Sequence, residues 1–256
     1  MEDNIKFTMN TITDNKESKK DQNIRKIVWG GDVNLGRRQH YVTEQIGLKN
    51  VIQSNILKEA DLSIVNLECV VSVLGEQGAE KGEGGPYYYR ARPEMVKILT
   101  ESGIDVVTCA NNHSVDYGVG ALMQQDRLLK KVGIECVGVG QTLAEALLPK
   151  YIDLDGVKVA IFAADTTMKY FAASDETGGI SFISVTDVST WTQRYRKLFI
   201  EAKAISDIIL FAIHWGANEK EEPTVDERIL GRLLIDLAVD AVLGASAYTL
   251  KGTEIY

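Results

Sequence analysis

Five short polar segments carry most of the residue types that could bind a metal ion or transfer a proton. They are GGDVNLGRR (30–38), NLE (66–68), ANNHSVDYG (110–118), HWGANEK (214–220) and GASAYTLKGTE (244–254). Each segment directly follows a short apolar run that predicts a strand. In an open α/β sheet the carboxyl ends of the strands form the ligand crevice. The five segments together therefore predict one shared site.

Two of these segments offer carboxylates. Asp32 follows Gly30-Gly31 in a tight turn, which suits a hard cation, and the nearby Arg37 suits a phosphate or a carboxylate. Asn66 and Glu68 point the same way from an extended chain, so both can face one pocket. The structural alternatives are a helix cap with an ion pair for Asp32 and a polar pair at a strand edge for Glu68.

The remaining candidates are built around histidines. His113 has Asp116 close behind it, an arrangement typical of a general acid or a ligand, or else of a structural, hydrogen-bonded histidine. His214 follows the apolar run IILFAI, which fits either a metal ligand or a core histidine. Glu219 is either a pocket carboxylate or part of the solvated run EKEE. We expect His40 to lie on the surface.

The elements that must position these residues alternate between strands and helices. The predicted strands are Arg25–Trp29, Leu62–Val65, Asp105–Cys109, Glu135–Val137, Lys158–Ala163, Ile208–Ile213 and Ala241–Leu243. The predicted helices are Leu48–Glu59, Glu94–Ser102, Gly118–Val132, Leu143–Leu148, Thr190–Ala204 and Val225–Leu237. This alternation predicts a parallel sheet built from βαβ units. Asp155-Gly156 adds one antiparallel hairpin with a type I′ turn.

Composition narrows the class of protein. The 256 residues carry 28 Lys and Arg against 36 Asp and Glu, a net charge of −8, which argues against a nucleic-acid-binding or anionic-membrane-binding surface. The three cysteines form no CxxC pair and predict buried, reduced thiols. There is no apolar run long enough to span a membrane and no signal-type segment, so we expect a cytoplasmic protein.

The chain divides into a tail and one domain. Residues 1–24 are polar and non-periodic, which predicts a disordered N-terminal tail before a domain over residues 25–256. Within the domain, Gly75–Gly85 contains five glycines. Because long loops in compact domains are usually functional or mobile, we expect this loop to be mobile in the free protein.

The motifs GDVNLGR, NLE, ANNHSVDYG, HWGANE and the terminal G-x-S-A-x-T-L-K-G-T-E-I-Y resemble the CapA family. Its members are associated with poly-gamma-glutamate capsule synthesis. The resemblance spans residues 25–256, with all five motifs in the same order. The family in turn resembles the calcineurin-like metallophosphatases, which implies a layered α/β/β/α sandwich with a two-metal site at the strand ends. It also implies a hydrolase-type site for a phosphate ester or a gamma-glutamyl amide.

The resemblance implies a role for each candidate residue. Asp32, Glu68, Asn112 and His214 look like ligands of a divalent metal (Mn²⁺, Mg²⁺ or Zn²⁺), with Glu68 in the bridging position. His113 looks like the general acid, with Asp116 behind it. Arg37 looks like a contact to a substrate anion. Glu219 looks like a group that either contacts the substrate or supports the metal ligands. The implied partners are an anionic small molecule or polymer and a capsule-synthesis complex.

The chain departs from the family pattern at one motif. The last motif resembles G-H-S-A-H or G-H-H-P-H in the family, whereas Ala245 and Tyr248 stand at the two histidine positions here. Family members also usually continue into a further strand beyond Tyr256, so we expect either a truncated or variant product with an open sheet edge or pairing with a partner at that edge. Members tied to the capsule often carry an N-terminal membrane anchor, which we do not find.

These departures leave three readings of the function. The first is a metal-dependent hydrolase or transferase with a reduced, one-metal site. The second is a pseudoenzyme that binds an anionic ligand without turnover. The third is an accessory subunit of a polymer-synthesising complex.

Overall fold

The computed structural model describes residues 24–82, 84–216 and 218–256. In chain order the strands are β1 (Ile27–Val33), β2 (Leu62–Leu67), β3 (Val70–Val71), β4 (Arg90–Ala91), β5 (Val106–Thr108), β6 (Glu135–Val137), β7 (Val139–Gly140), β8 (Lys150–Leu154), β9 (Val157–Asp165), β10 (Gly179–Ile180), β11 (Ile208–His214) and β12 (Ala241–Ala245). The α-helices are α1 (Gln39–Ile46), α2 (Asn55–Glu59), α3 (Val96–Glu101), α4 (Val119–Lys131), α5 (Leu143–Ala146), α6 (Val188–Lys203) and α7 (Val225–Asp236).

Two four-stranded sheets dominate the described residues. The first has the order β1-β2-β5-β6 and is parallel throughout. The second has the order β12-β11-β9-β8, in which only the β8–β9 pair is antiparallel. That pair is the predicted hairpin, and Asp155 and Gly156 both take the positive φ that a type I′ turn requires.

The two sheets pack face to face and carry helices on their outer faces. Ile64 and Val106 of the first sheet share one buried cluster with Ile161 and Leu210 of the second. On the outside of the first sheet, α3 and α4 pack against β2 and β5, and on the outside of the second, α6 and α7 pack against β9 and β11. This layering confirms the α/β/β/α sandwich predicted from the sequence.

The strand predictions were closer than the helix predictions. The seven predicted strands all form, but four of them run on by two or more residues, so that Asp32, Asn66, Asp165 and Ala245 belong to strands rather than to loops. The single helix predicted over Leu48–Glu59 is wrong. A 3₁₀ turn ends at Asn50, and Ser54 then caps the separate helix α2 by accepting the Leu57 N–H. Helix α1 was not predicted.

The structure bears differently on the predicted tail, the cysteines and the search for a membrane span. The predicted N-terminal tail lies, apart from Ile24, outside the described residues. Cys69, Cys109 and Cys136 are all buried and form no disulfide, as the sequence indicated. In the part of the chain that the structure describes, no helix is both long enough and apolar enough to cross a membrane.

Candidate functional site

The amide of Asn66 joins the two sheets at the carboxyl ends of their strands. Its Nδ2 donates to Asp32 Oδ1 over 2.7 Å and lies 3.2 Å from His214 Nδ1. The backbone N–H of Ser246, just past β12, donates to Asp32 Oδ2 over 2.8 Å. The ends of β1, β2, β11 and β12 therefore converge on one place.

Asn66 is itself held firmly in the first sheet. Its Oδ1 accepts hydrogen bonds from Thr108 Oγ1 and Asn111 Nδ2, both at 3.1 Å. Asn111 also donates to the Leu67 carbonyl over 2.9 Å. Because both amides are buried and fully bonded, Asn66 and Asn111 form the rigid floor on which the site is built.

Three of the four side chains predicted as metal ligands lie beside this floor, and the fourth, Asn112, follows Asn111 in the turn after β5. His214 is 2% exposed, with Nε2 lying 3.9 Å from Glu68 Oε1 and Nδ1 lying 3.9 Å from Asp32 Oδ1. His214 Nε2 and Asn112 Oδ1 are both buried and have no hydrogen-bond partner among the described residues. Buried polar atoms are normally satisfied, so these two atoms mark His214 and Asn112 as candidates for a ligand contact.

The electrostatics of the site favour uncharged groups. Burial, reinforced by the nearby Asp32 carboxylate, raises the pKa of Glu68 to about 8. Burial, together with the charge of His113, lowers the pKa of His214 to about 3, so its imidazole is neutral. A neutral imidazole is the form that binds metals, and a cation beside Glu68 would favour its ionised carboxylate.

The set of donors is small for a metal centre. Among the described residues, His, Cys, Asp and Glu side chains alone form no cluster of three or more that could hold a metal ion. The predicted set adds the amide oxygen of Asn112 to Asp32, Glu68 and His214. Ala245 at the end of β12 has no donor atom in its side chain.

Tyr248 does not replace a lost histidine. It is 64% exposed. Partial burial, followed by the negative charges of Glu68, Tyr89 and Asp32, raises the pKa of its hydroxyl to about 12. The phenol therefore stays protonated at neutral pH and is a poor metal ligand.

A second cluster lies beside the floor and is built around His113. Its Nδ1 lies 2.7 Å from Asp116 Oδ2, and Lys81 Nζ lies 2.7 Å from Asp116 Oδ1. The backbone N–H of Tyr89 also donates to Asp116 Oδ2, over 2.6 Å. Asp116 thus fixes the orientation of the imidazole, while Lys81 balances the buried negative charge.

The glycine-rich loop between β3 and β4 supplies Lys81. The Lys81 side chain is only 1% exposed, and its Nζ also donates to the Tyr87 carbonyl over 2.7 Å. Nothing in the run EKGE distinguishes this lysine from a solvated charge, so sequence reasoning missed it. The adjoining run of three tyrosines, residues 87–89, was the available signal that this loop packs against something.

The two predicted substrate contacts lie differently. Arg37 is at the mouth of the site, with Cζ 5.3 Å from the centre of the Tyr89 ring, and that ring stacks on His113 at 4.0 Å. Glu219 is exposed, and its backbone N–H donates to the Ala247 carbonyl over 2.8 Å. No hydrogen bond or ion pair among the described residues ties the Glu219 carboxylate to the site, so its role stays a prediction.

Backbone strain is concentrated around the site. Six described residues other than glycine have positive φ, and Arg37, Glu219, Ser246 and Tyr248 are four of them. A left-handed conformation costs a non-glycine residue about 1–2 kcal/mol. Such strain persists where surrounding structure holds it, often at functional sites.

Comparison with known proteins identifies the family. The sequence model of the bacterial capsule synthesis protein PGA_cap matches residues 26–256. The chain is 28% identical over 230 residues to the PGA biosynthesis protein CapA of Bacillus subtilis (strain 168), covering 88% of this chain and 58% of that protein. It is 24% identical over 230 residues to the capsule biosynthesis protein CapA of Bacillus anthracis, with coverages of 88% and 55%. The chain therefore belongs to this family.

Two further matches bear on function and fold. A probable polyglutamine synthesis accessory protein of Mycobacterium tuberculosis is 27% identical over 201 residues, covering 77% of this chain and 52% of that protein. A crystal structure of a hypothetical protein from Thermus thermophilus matches with a TM-score of 0.50 at 17% identity, covering 90% of this chain and 71% of that one. The chain spans little more than half the length of the curated relatives it matches.

Proposed function

We propose that this member of the PGA_cap family is a metal-dependent hydrolase-type domain that acts on an anionic polymer or small molecule. The observation that supports this most is the buried, unpartnered His214 Nε2, which lies 3.9 Å from Glu68 Oε1, together with the unpartnered Oδ1 of Asn112 in the turn after β5. Together with Asp32, these residues offer one imidazole, one amide and two carboxylates. That donor set suits a single Mn²⁺, Mg²⁺ or Zn²⁺ ion.

A divalent ion in such a site supplies a Lewis acid and lowers the pKa of a bound water. Binding through His214 Nε2 requires the neutral tautomer with its proton on Nδ1. Asn66 Nδ2 lies 3.2 Å from that Nδ1, so in this tautomer the Asn66 amide packs against the imidazole without a hydrogen bond between the two nitrogens. Asn66 therefore positions the predicted histidine ligand by packing.

The chain's own residues supply a proton donor for the leaving group. With Asp116 Oδ2 at 2.7 Å, the His113 Nδ1–H donates to the carboxylate, and proton exchange with a substrate then falls to Nε2. Stacking against Tyr89 at 4.0 Å keeps the imidazole in one plane. This is the arrangement of a general acid held by a carboxylate.

The substrate class follows from the relatives and from the charges at the site mouth. The names of the relatives refer to capsule, PGA and polyglutamine synthesis. Arg37 carries an exposed guanidinium beside Tyr89, where it suits a carboxylate or phosphate. The proposed substrate is therefore a chain of gamma-linked glutamates, with a phosphate ester as the second class to assay.

The test is hydrolysis by the full chain loaded with Mn²⁺, assayed on a gamma-linked oligoglutamate and on an aryl phosphate. We expect turnover of the oligoglutamate, and a loss of about 10²–10⁴-fold in kcat for His113→Asn because a general acid contributes that much. The unfolding temperature and metal content of the variant serve as its controls. Equal turnover by a folded, metal-loaded variant would rule out the role of His113.

Binding without turnover is the second candidate function. Ala245 and Tyr248 favour it, because the β12 end of the site offers no strong metal ligand among the described residues. A domain of this kind would serve as an accessory subunit of a polymer-synthesising complex. The same assay separates the two, since this candidate predicts oligoglutamate binding with no product under any metal.

A further inference from the structure

A cavity of about 370 Å³ opens next to the candidate site. The loop after β1 and the start of α1 form one wall through Gly36, Arg37 and His40. Strand β4 and the residues that follow β3 and β4 form the other wall through Val73, Arg90 and Arg92. The cavity is therefore part of the same face of the molecule as the strand ends, but none of the predicted metal ligands lines it.

The walls of this cavity are strongly basic. Three arginines and a histidine line it, and no described residue lining it is acidic. Neither Arg37 nor Arg92 forms an ion pair with a described residue, and Arg90 is held by the Gly75 carbonyl at 3.2 Å and by the Tyr117 ring at 4.0 Å. In a chain of net charge −8, such a cluster of guanidiniums is the opposite of the average surface.

The main chain holds Arg37 in place at a cost. Its φ of 56° is left-handed, a conformation that non-glycine residues adopt only where the structure enforces it. Arg37 also packs against the Tyr89 ring. The guanidinium is therefore less free than that of an ordinary surface arginine, which lowers the entropy lost when it binds a ligand.

Tyr89 connects the cavity to the candidate site. Its ring lies 5.3 Å from Arg37 Cζ and 4.0 Å from the His113 ring. A ligand whose reacting bond lies near His113 can therefore extend past Tyr89 and place its next anionic group among the arginines. This arrangement suits a ligand with repeated negative charges rather than a single small anion.

We propose that this cavity is a binding subsite for carboxylates of an extended anionic chain, with Arg37 and Arg92 as the main contacts. The subsite rests on the proposed function, because it holds the part of the substrate that lies beyond the reacting bond. Paired oxygens of a carboxylate match the planar guanidinium, and several such groups in a row match the three arginines that line the cavity.

The test is calorimetric titration of the full chain in EDTA with a short gamma-linked oligoglutamate, its neutral methyl ester and inorganic tripolyphosphate. The variant is Arg37→Gln with Arg92→Gln. The matched control is Arg38→Gln with Arg127→Gln, which removes the same charge from exposed residues that do not line the cavity. We expect the first pair to weaken oligoglutamate binding about tenfold or more, as for loss of a charge-assisted hydrogen bond. The control is expected to stay within about twofold, as is usual for isolated surface charges.

Other outcomes overturn the proposal. Equal weakening by both double variants, equal affinity for the methyl ester, or no binding to the metal-free chain would each contradict a carboxylate subsite. Tripolyphosphate binding as tightly as oligoglutamate would assign the cavity to phosphates instead. Failure of the proposed function is seen separately. A chain that binds oligoglutamate in EDTA but never hydrolyses it with metal loses the hydrolase proposal and keeps the subsite.

Discussion

The two sheets of the sandwich contribute unequally to the site. The first sheet and the loops after it supply Asp32, Asn66, Glu68 and Asn112, of which Asn66 donates to Asp32 and Glu68 lies 3.9 Å from His214. Among the described residues, the second sheet supplies one side chain, His214, and the Ser246 N–H that follows β12 and donates to Asp32. Strand β12 ends in Ala245, which lies directly beside His214 in the register.

The carboxylates of the two sheets show the same difference. In the first sheet, Asp32 and Glu68 face His214 from two sides. In the second sheet, Asp165 pairs with His214 across β9 and β11, but its oxygens accept hydrogen bonds from Thr167 and Met168 in its own turn. The first half is built for a ligand, and the second half is largely built for the fold. We therefore infer room for one metal ion rather than two.

The largest expected effect on metal binding comes from removing the imidazole of His214. His214→Ala should abolish measurable Mn²⁺ binding, because it removes the imidazole donor from a set of four. Asn66→Ala is the graded comparison and should cost about 10–100-fold in affinity, as is usual for residues that orient a metal ligand. Titration of both variants by calorimetry checks this order, and an Asn66 effect larger than the His214 effect would contradict it.

The Lys81–Asp116 ion pair beside the first sheet should contribute to the free energy of unfolding. Lys81→Met leaves Asp116 buried without its cation, and breaking a buried pair in this way costs about 3–5 kcal/mol. Denaturant unfolding measures the change. Lys169→Met is the control, because that lysine also packs near a tyrosine ring but has no carboxylate partner among the described residues. A Lys81 effect no larger than the control effect would mean that the ion pair is not formed.

Asp165 in the second sheet should make the free energy of unfolding depend on pH. Burial raises the pKa of Asp165 from 3.8 to about 6 in the folded chain, despite three hydrogen bonds that oppose the shift. The folded state then holds the proton more tightly than the unfolded state between these values. The contribution of this carboxyl to the stability of the fold is therefore complete below pH 3.8 and is lost as the pH rises through about 6.

Asp165→Asn tests this directly, because an amide can keep the turn's hydrogen bonds without ionising. Two pKa units correspond to about 3 kcal/mol, so the variant should gain roughly that much relative to the parent between about pH 4 and pH 7. Unfolding curves across that range measure it. A constant difference between the two proteins at every pH would mean that Asp165 does not ionise within the range.

The smallest expected effect is a gain in metal affinity. Ala245→His with Tyr248→His restores imidazoles at the end of β12 and should raise metal affinity about tenfold or add a second ion, since each histidine is a strong ligand. Tyr248→Phe should leave metal content unchanged, because the phenol stays protonated. Elemental analysis checks both, and loss of metal in Tyr248→Phe would show that the phenolate binds it.

The sequence predicted the parts of the site that follow from strand order. Polar segments after parallel strands must meet at one edge of a sheet, so the neighbourhood of Asp32, Glu68 and His214 was visible from spacing alone. The different roles of the adjacent Asn111 and Asn112 could not be predicted from the sequence. Asn111 is bonded into the floor, whereas Asn112 Oδ1 is buried without a hydrogen-bond partner among the described residues, and only the turn after β5 decides which is which.

Contacts between distant segments were harder to foresee. Lys81 meets Asp116 and His113 only because the glycine-rich loop folds back over the strand ends. The broken helix before β2 has a local cause, since Ser54 ends one segment by capping the next. The basic cavity also depends on folding, because Arg37 and Arg92 are far apart in sequence and the β3–β4 sheet brings them together.

The central claim is that Glu68, Asn112, His214 and Asp32 bind one divalent ion. The most direct measurement is calorimetric titration of the metal-free full chain with Mn²⁺, with the bound metal counted by elemental analysis. We expect one ion per chain, lost in His214→Ala. No binding by the folded parent chain would contradict it, and so would two ions bound at the site with Ala245 and Tyr248 unchanged.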